Sequence, residues 1–235
     1  MVSKREVVDH ALGEAAPLLE RLRKALAHDL RTPLGTIGNY ATILEYHDQA
    51  KPEEVRAFAG RIRTSVVRTA SMLTCMTDAL TLAMRKNAKR GAEPATILRS
   101  LLSELGIHGH FAANANEPVT CLELDPDLLT FCWRAFLGIT APSAPQGGLD
   151  LDFACSVEDA SVSIDLLLGA QQREPDIECI DCSVYVLRHF DSPAQDACFA
   201  MSIAEHLVAA RGGSLQIHGK AGAASRLRLR LPIWN

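Results

Sequence analysis

Over the first eighty-odd residues, apolar side chains return every three or four positions in two separate runs, and no other feature limits the fold as much. Leu19, Leu22, Leu26, Leu30, Leu34, Ile37, Ala41 and Leu44 form the first run; Val55, Phe58, Ile62, Val66, Thr69, Leu73, Met76, Leu80 and Ala83 form the second. A helix of 3.6 residues per turn places each run on one face, so the spacing predicts two long amphipathic helices. Between them lies His47-Asp48-Gln49-Ala50-Lys51, followed by Pro52, Glu53 and Glu54. Proline suits the first helical position, and acids there complement the helix dipole. So short a connection sends the second helix back along the first. A lone hairpin cannot cover both stripes, and a second copy completes a four-helix bundle, so the sequence predicts a homodimer.

Residues 87–93, NAKRGAE, are polar and lead into Pro94, which marks a boundary between a hairpin domain, 1–88, and a second domain, 94–235. The second domain changes character. A short helix is expected from Pro94 to Leu105, strands around Ile107–Ala112 and Val119–Leu124, and a helix opened by Asp125-Pro126 and running to Gly138. Strand-like runs at Leu149–Ser156 and Ser161–Leu168 read as a hairpin. Ser192-Pro193-Ala194-Gln195 has the form of a helix start, and Gly212-Gly213 that of its end. Two strands close the chain, Ser214–His218 and Arg226–Leu231, the latter alternating Arg226, Arg228 and Arg230 with Leu227, Leu229 and Leu231. The fold class is therefore multidomain, α then α+β: an antiparallel hairpin forming a dimeric bundle, followed by an α/β sandwich.

Composition sets the remaining bounds. With 48% hydrophobic and 22% charged residues the chain has enough apolar content for a core. Its net charge of -4 disfavours a phosphate backbone, so no nucleic-acid partner is expected. No run is long and apolar enough for a membrane span, and Met1–His10 has no signal-peptide core; the expected location is cytoplasmic. The seven cysteines are odd in number and scattered, and Cys179 and Cys182, the one CxxC pair, have no second pair to complete a zinc set. No resident metal or cofactor is expected. Arg226, Arg228 and Arg230 read first as a solvated strand face, and second as a surface for an acidic partner. His108 and His110, alternating on one expected strand, read as structural.

One cluster carries chemistry. His28 stands two residues from both Leu26 and Leu30, about 200° around the helix from the stripe, and so points to solvent. Asp29 adjoins it, and Arg31 and Thr32, at i+3 and i+4, add a cation and a hydroxyl on the same face. Pro33 removes a backbone hydrogen bond and is expected to kink the helix one turn after His28. An imidazole is neutral and nucleophilic at cellular pH, and phosphoryl transfer needs mainly positioning and charge neutralisation.

The run HDLRTPL, His28 to Leu34, resembles the H-box of sensor histidine kinases, whose dimerisation and phosphoacceptor hairpin has the same two-helix layout. The resemblance implies that His28 is phosphorylated on a ring nitrogen. It further implies that Asp29 acts as base and that Thr32 positions water for dephosphorylation of a response-regulator receiver domain. The second domain resembles the ATP-binding domain of these kinases in its order of elements and its closing GGSLQIHGKAGAASRLRLRLPIW, but departs from it in the nucleotide boxes. Ala135 and Ile139 fall where magnesium-ligating asparagines are expected, before Gln146-Gly147-Gly148. Leu167-Leu168-Gly169-Ala170-Gln171-Gln172 replaces the Asp-x-Gly-x-Gly that holds adenine. No glycine occurs between Ala170 and Arg211, and Cys198-Phe199-Ala200-Met201 stands at the second glycine box.

Kinase-like architecture without these boxes is similar to the dimeric histidine phosphotransferases of bacterial phosphorelays, the ChpT type among them. That resemblance implies a protein accepting and donating a phosphoryl group at His28 with receiver-domain aspartates, without ATP, the Mg²⁺ residing on the receiver. Two alternatives stay open: a diverged sensor histidine kinase, and a non-catalytic receiver-binding module or a receiver phosphatase using Thr32.

Overall fold

The computed structural model describes residues 19–46, 51–85, 93–108, 111–115, 124–140, 150–158, 161–168, 178–180, 195–220 and 223–232. They divide into two compact units, Met1–Leu80 and Thr81–Asn235. The division falls inside a continuous helix, earlier than the polar segment 87–93.

In the first unit, residues 19–24 are helical (α1) and pass into a π-helical turn, Ala25–Asp29, before α2, Arg31–Tyr46, and α3, Pro52–Met84. The π-turn relocates the irregularity expected one turn after His28. Pro33 cannot donate to the carbonyl of Asp29, four residues back, so the disturbance falls on the turn that holds His28. Pro33 itself sits in the first turn of α2, where a missing N–H costs little, and the regular ladder resumes with Leu34 N donating to Leu30 O at 3.2 Å. Lys51 N donates back to Glu54 Oε2 at 3.0 Å, a capping contact that starts α3. Tyr40, near the end of α2, stacks on Phe58, near the start of α3, with ring centroids 5.3 Å apart. Arg61 donates to the Tyr40 hydroxyl and lies over the same ring. These contacts join the helices as an antiparallel hairpin.

Burial departs from the stripes in one respect. On α3 the covered row is Ser65, Met72, Met76 and Ala79, whereas Val66, Leu73 and Leu80 of the expected stripe remain 49%, 46% and 37% exposed. On the first arm Leu22, Leu30 and Pro33 are buried, and Leu34 is exposed.

The second unit is a six-stranded sheet in the order β1-β2-β3-β6-β5-β4. Its strands are β1 Phe111–Ala115, β2 Leu151–Glu158, β3 Ser161–Leu168, β4 Glu178–Ile180, β5 Ser214–Lys220 and β6 Ala223–Pro232. β1 pairs parallel with β2 and the other pairs are antiparallel. Strict alternation builds the core. Phe153, Leu166, Leu227 and Ile217 form one row across β2, β3, β6 and β5, and all four are buried. Helices α4 (Pro94–Glu104), α5 (Pro126–Thr140) and α6 (Gln195–Ala209) supply the apolar layer that covers this face. Trp133 of α5 meets Phe153 edge to face at 6.3 Å.

Two helix ends are set by glycine. At α4, Gly106 has φ +64°, and Ile107 N reaches back to Leu102 O at 3.0 Å. This Schellman cap uses up Leu105–Ile107, so the strand expected from Ile107 begins at Phe111. His108 is exposed ahead of that strand and not within it. At α6, Gly212 has φ +72° and Gly213 N reaches Val208 O at 3.0 Å. The second glycine has a separate reason: a Cβ on Gly213 would stand 2.5 Å from Arg230 O. His110, residues 119–123 of the strand expected at Val119–Leu124, and the Ser192-Pro193-Ala194 helix start lie outside the described residues; Leu124 is described and is not in a strand. β4 has no counterpart among the sequence expectations.

Arg211, just past α6, is the polar centre of this unit. Its Nη2 donates to Leu82 O and to Asp125 Oδ2, both at 2.9 Å, while Asp125 Oδ1 accepts from Asp127 N and Leu128 N at the start of α5. The pair is 12% and 9% exposed. Removing the guanidinium leaves a buried carboxylate and a carbonyl without that donor, so Arg211→Ala is expected to destabilise the second unit by about 3 kcal/mol in denaturant melts.

Candidate functional site

His28 lies within the π-turn with its side chain 74% exposed, as a position opposite the apolar stripe requires. Its Nδ1 stands 3.1 Å from Asp29 Oδ1, and Asp29 Oδ2 accepts from Arg21 Nη1 at 3.2 Å. A carboxylate only accepts, so the ring nitrogen facing it carries a proton, and in the neutral ring this leaves the lone pair on Nε2. Asp29 and Arg21 are 22% and 19% exposed, so the chain of contacts runs from a partly covered cation to an open imidazole.

Of the four residues singled out in the sequence, the structure joins His28 and Asp29 by a hydrogen bond. Arg31 and Thr32 stand exposed on the first turn of α2, and among the described residues the ring's hydrogen-bond partner is Asp29. Thr32 O accepts from Thr36 Oγ1 at 3.1 Å. Arg21 is the member that sequence reasoning did not find. It lies eight residues before Asp29, outside the i+3 and i+4 spacings by which helical neighbours are recognised.

In the second unit α5 presents apolar side chains where the kinase resemblance expects asparagine. Ala135 and Ile139 are 3% and 5% exposed, in the same layer as Trp133 and Phe136. Gly138 lies so close to α6 that a Cβ on it would stand 2.9 Å from Ala197 Cβ. The segments 146–148 and 169–172 lie outside the described residues, as does Cys182. Burial pushes the Cys132 and Cys198 thiols up to about 12 and that of Cys155 up to about 11, which makes them unreactive.

The arginine row of β6 is partly neutralised by its neighbour strand. Arg226 Nε and Arg228 Nε donate to Asp165 Oδ1 of β3 at 3.1 and 3.0 Å, and Arg230 Nε donates to Ser161 Oγ at 2.8 Å. Burial acts to raise the Asp165 carboxyl, but the hydrogen bonds and charges of the two arginines outweigh it and hold the group below its ordinary 3.8. A carboxylate with a lowered folded value adds stability that is complete above the unfolded value and is lost as pH falls through the folded one. The second unit is therefore expected to melt at lower temperature as pH is taken below about 4, and Asp165→Asn is expected to flatten that decline in a calorimetric pH series.

Residues 18–83 match the His Kinase A (phospho-acceptor) domain. Among solved structures the chain is similar to the Acinetobacter baumannii histidine kinase AdeS, with TM-score 0.50 and 12% identity, covering 88% of this chain and 98% of that one. It is also similar to the histidine kinase ThkA, solved in complex with the response regulator protein TrrA, with TM-score 0.51 and 13% identity over 94% of this chain and 66% of that one. Full-length ShkA in complex with AMPPNP gives TM-score 0.47 and 19% identity over 88% of this chain, which spans 44% of the ShkA length. No curated protein matches. The chain is thus histidine-kinase-like, in sequence over the phosphoacceptor segment and in fold over a helical unit followed by a small α/β unit. No helix among the described residues is long and apolar enough to cross a membrane.

Proposed function

We propose that the chain is a dimeric histidine phosphotransferase of two-component signalling, taking a phosphoryl group from the aspartate of one receiver domain onto His28 and passing it to another. The observation that carries this reading is the site geometry: an open imidazole with Nδ1 held by Asp29 and Nε2 facing solvent. In the transfer, the Nε2 lone pair attacks phosphorus, the bond from phosphorus to the donor aspartate breaks, and that aspartate leaves as a carboxylate. Nδ1 keeps its proton, and the positive charge acquired by the ring is offset by Asp29. Arg31, exposed one turn on, meets the charge of the incoming group. Thr32 is the residue to orient water where the receiver is to be dephosphorylated. The receiver brings its own Mg²⁺.

The exposed Val66, Leu73 and Leu80 on α3 support the bundle dimer, because a second copy supplies the apolar partner that one protomer lacks. The second unit is read as a scaffold without nucleotide. A magnesium nucleotide needs amide or carboxylate ligands, and the buried hydrocarbon of Ala135 and Ile139 does not fit it.

The test is a pair of labelling reactions with the purified protein, one with Mg-ATP labelled in the γ-phosphate and one with a labelled phospho-receiver. Label is expected on the chain from the receiver alone, and calorimetry with millimolar Mg-ATP is expected to be flat. Label arriving from ATP would move the assignment to a kinase, and label from neither donor would remove the phosphotransferase reading.

A further inference from the structure

We infer that Arg21 is a positioning residue for the phosphoacceptor: by holding one oxygen of Asp29 it aims the other at His28 Nδ1 and so keeps Nε2 as the nucleophile. The inference rests on the reading of His28 as phosphoacceptor and adds to it the question of what holds the carboxylate in place. Adjacent residues on a helix point about 100° apart and do not face each other, so a hydrogen bond between His28 and Asp29 is not what an ordinary helix provides. The Asp29 carboxylate has to turn back toward the ring and stay there. Arg21 Nη1, 3.2 Å from Asp29 Oδ2, is the contact that fixes it.

That contact itself depends on the π-turn. In a straight α-helix eight residues span about 12 Å along the axis, near the limit for even an arginine side chain. The π-turn Ala25–Asp29 widens and shortens this stretch, which brings the guanidinium of Arg21 to the carboxylate. The π-turn in turn follows from Pro33. Sequence, backbone and site are linked in one line: Pro33 disturbs the turn, the turn admits Arg21 to Asp29, and Asp29 sets the ring.

Chemically, the role assigned to Arg21 runs through the Asp29 carboxylate, which its Nη1 meets at 3.2 Å. A free imidazole places its proton mostly on Nε2, which would remove the lone pair from the outward nitrogen. A carboxylate fixed at Nδ1 reverses that preference and then faces the positive charge the ring acquires when the N–P bond forms.

The experiment uses the full chain with ¹⁵N-labelled histidine, His28 being assigned by comparison with His28→Ala. Long-range proton–nitrogen spectra report the tautomer, and the rate of His28 phosphorylation by phosphoramidate, a small donor that needs no partner protein, is followed by ³¹P resonance. The parent is expected to be protonated on Nδ1. Arg21→Ala is expected to shift the ring toward Nε2–H and to slow phosphorylation about tenfold, with Arg21→Lys recovering most of both. Because Arg21 acts through Asp29, Arg21→Ala is expected to add nothing in an Asp29→Asn background. An unchanged tautomer and rate in Arg21→Ala, or an equal further slowing in the Asp29→Asn background, would overturn the assignment. Arg21→Gln, neutral and too short to reach Asp29, serves the same comparison if the alanine variant does not fold. Phosphoramidate labelling of His28→Ala as fast as the parent would instead strike the phosphoacceptor reading, and the tautomer comparison tells the two failures apart.

Discussion

His28→Ala is expected to reduce phosphoryl uptake from a labelled phospho-receiver to background while light scattering reports the same proposed dimer as in the parent. Both halves follow from the same geometry. The imidazole is 74% exposed and packs into no core, so its removal alters stability by no more than about 0.5 kcal/mol. Yet Nε2 is the nucleophile of the proposed transfer, and neither Asp29 nor Thr32 can replace a ring nitrogen whose protonated form makes a good leaving group. Asp29→Asn gives the graded counterpart. The amide keeps the shape but presents no full negative charge to Nδ1–H, and transfer is expected to slow about a hundredfold without being lost. Phosphate appearing on the His28→Ala chain at the parent's rate would leave only the interaction-module reading.

Leu73→Asp is expected to turn the proposed dimer into a monomer at micromolar concentration, as read by light scattering. Leu73 is 46% exposed in a single protomer, next to Val66 and Leu80 on the uncovered row of α3. A carboxylate buried there against a second copy has no partner, and a cost of about 3 kcal/mol or more corresponds to at least a hundredfold in the dissociation constant. In the separated protomer the same carboxylate reaches water, so helix content is expected to survive. Met76→Asp is the control: Met76 is 5% exposed within one protomer, and a charge there is expected to unfold the hairpin and not merely separate it. A Leu73→Asp protein that remains dimeric would exclude this face from the interface.

These expectations draw on parts of the molecule that were unequally visible in the sequence. Helix α3 and strands β2, β3 and β6 follow from periodicities of 3.6 and 2, because each has one face against a core and a long enough run to express it. Gly212-Gly213 was legible as a helix end, although the clash that a Cβ on Gly213 would make with Arg230 O could only be seen in three dimensions. The expected stripe on α3 meets the buried row at Met76, but at Val66, Leu73 and Leu80 it lies one position past the buried Ser65, Met72 and Ala79. Apolar spacing marks every face that needs covering, and it does not say which is covered within the protomer and which is left for a partner. β4, three residues long at a sheet edge, has too little chain to show alternation. The π-turn was half legible: Pro33 announces a missing bond, and counting back four residues to Asp29 would have placed the disturbance on His28. Arg21 was invisible because no helical rule pairs residues eight apart, and only the distorted turn makes that spacing a contact.

The close packing of α5 on α6 also bears on how the second unit could be re-engineered. With Ala135 and Ile139 3% and 5% exposed and Gly138 pressed against Ala197, asparagines introduced at 135 and 139 would enter a packed apolar layer. Each buried amide would arrive with donors and acceptors that the surrounding hydrocarbon does not satisfy, at a cost of about 1–3 kcal/mol apiece. A retrofit would therefore have to begin with the spacing of the two helices and only then turn to the ligands, since the present geometry penalises the intermediate steps.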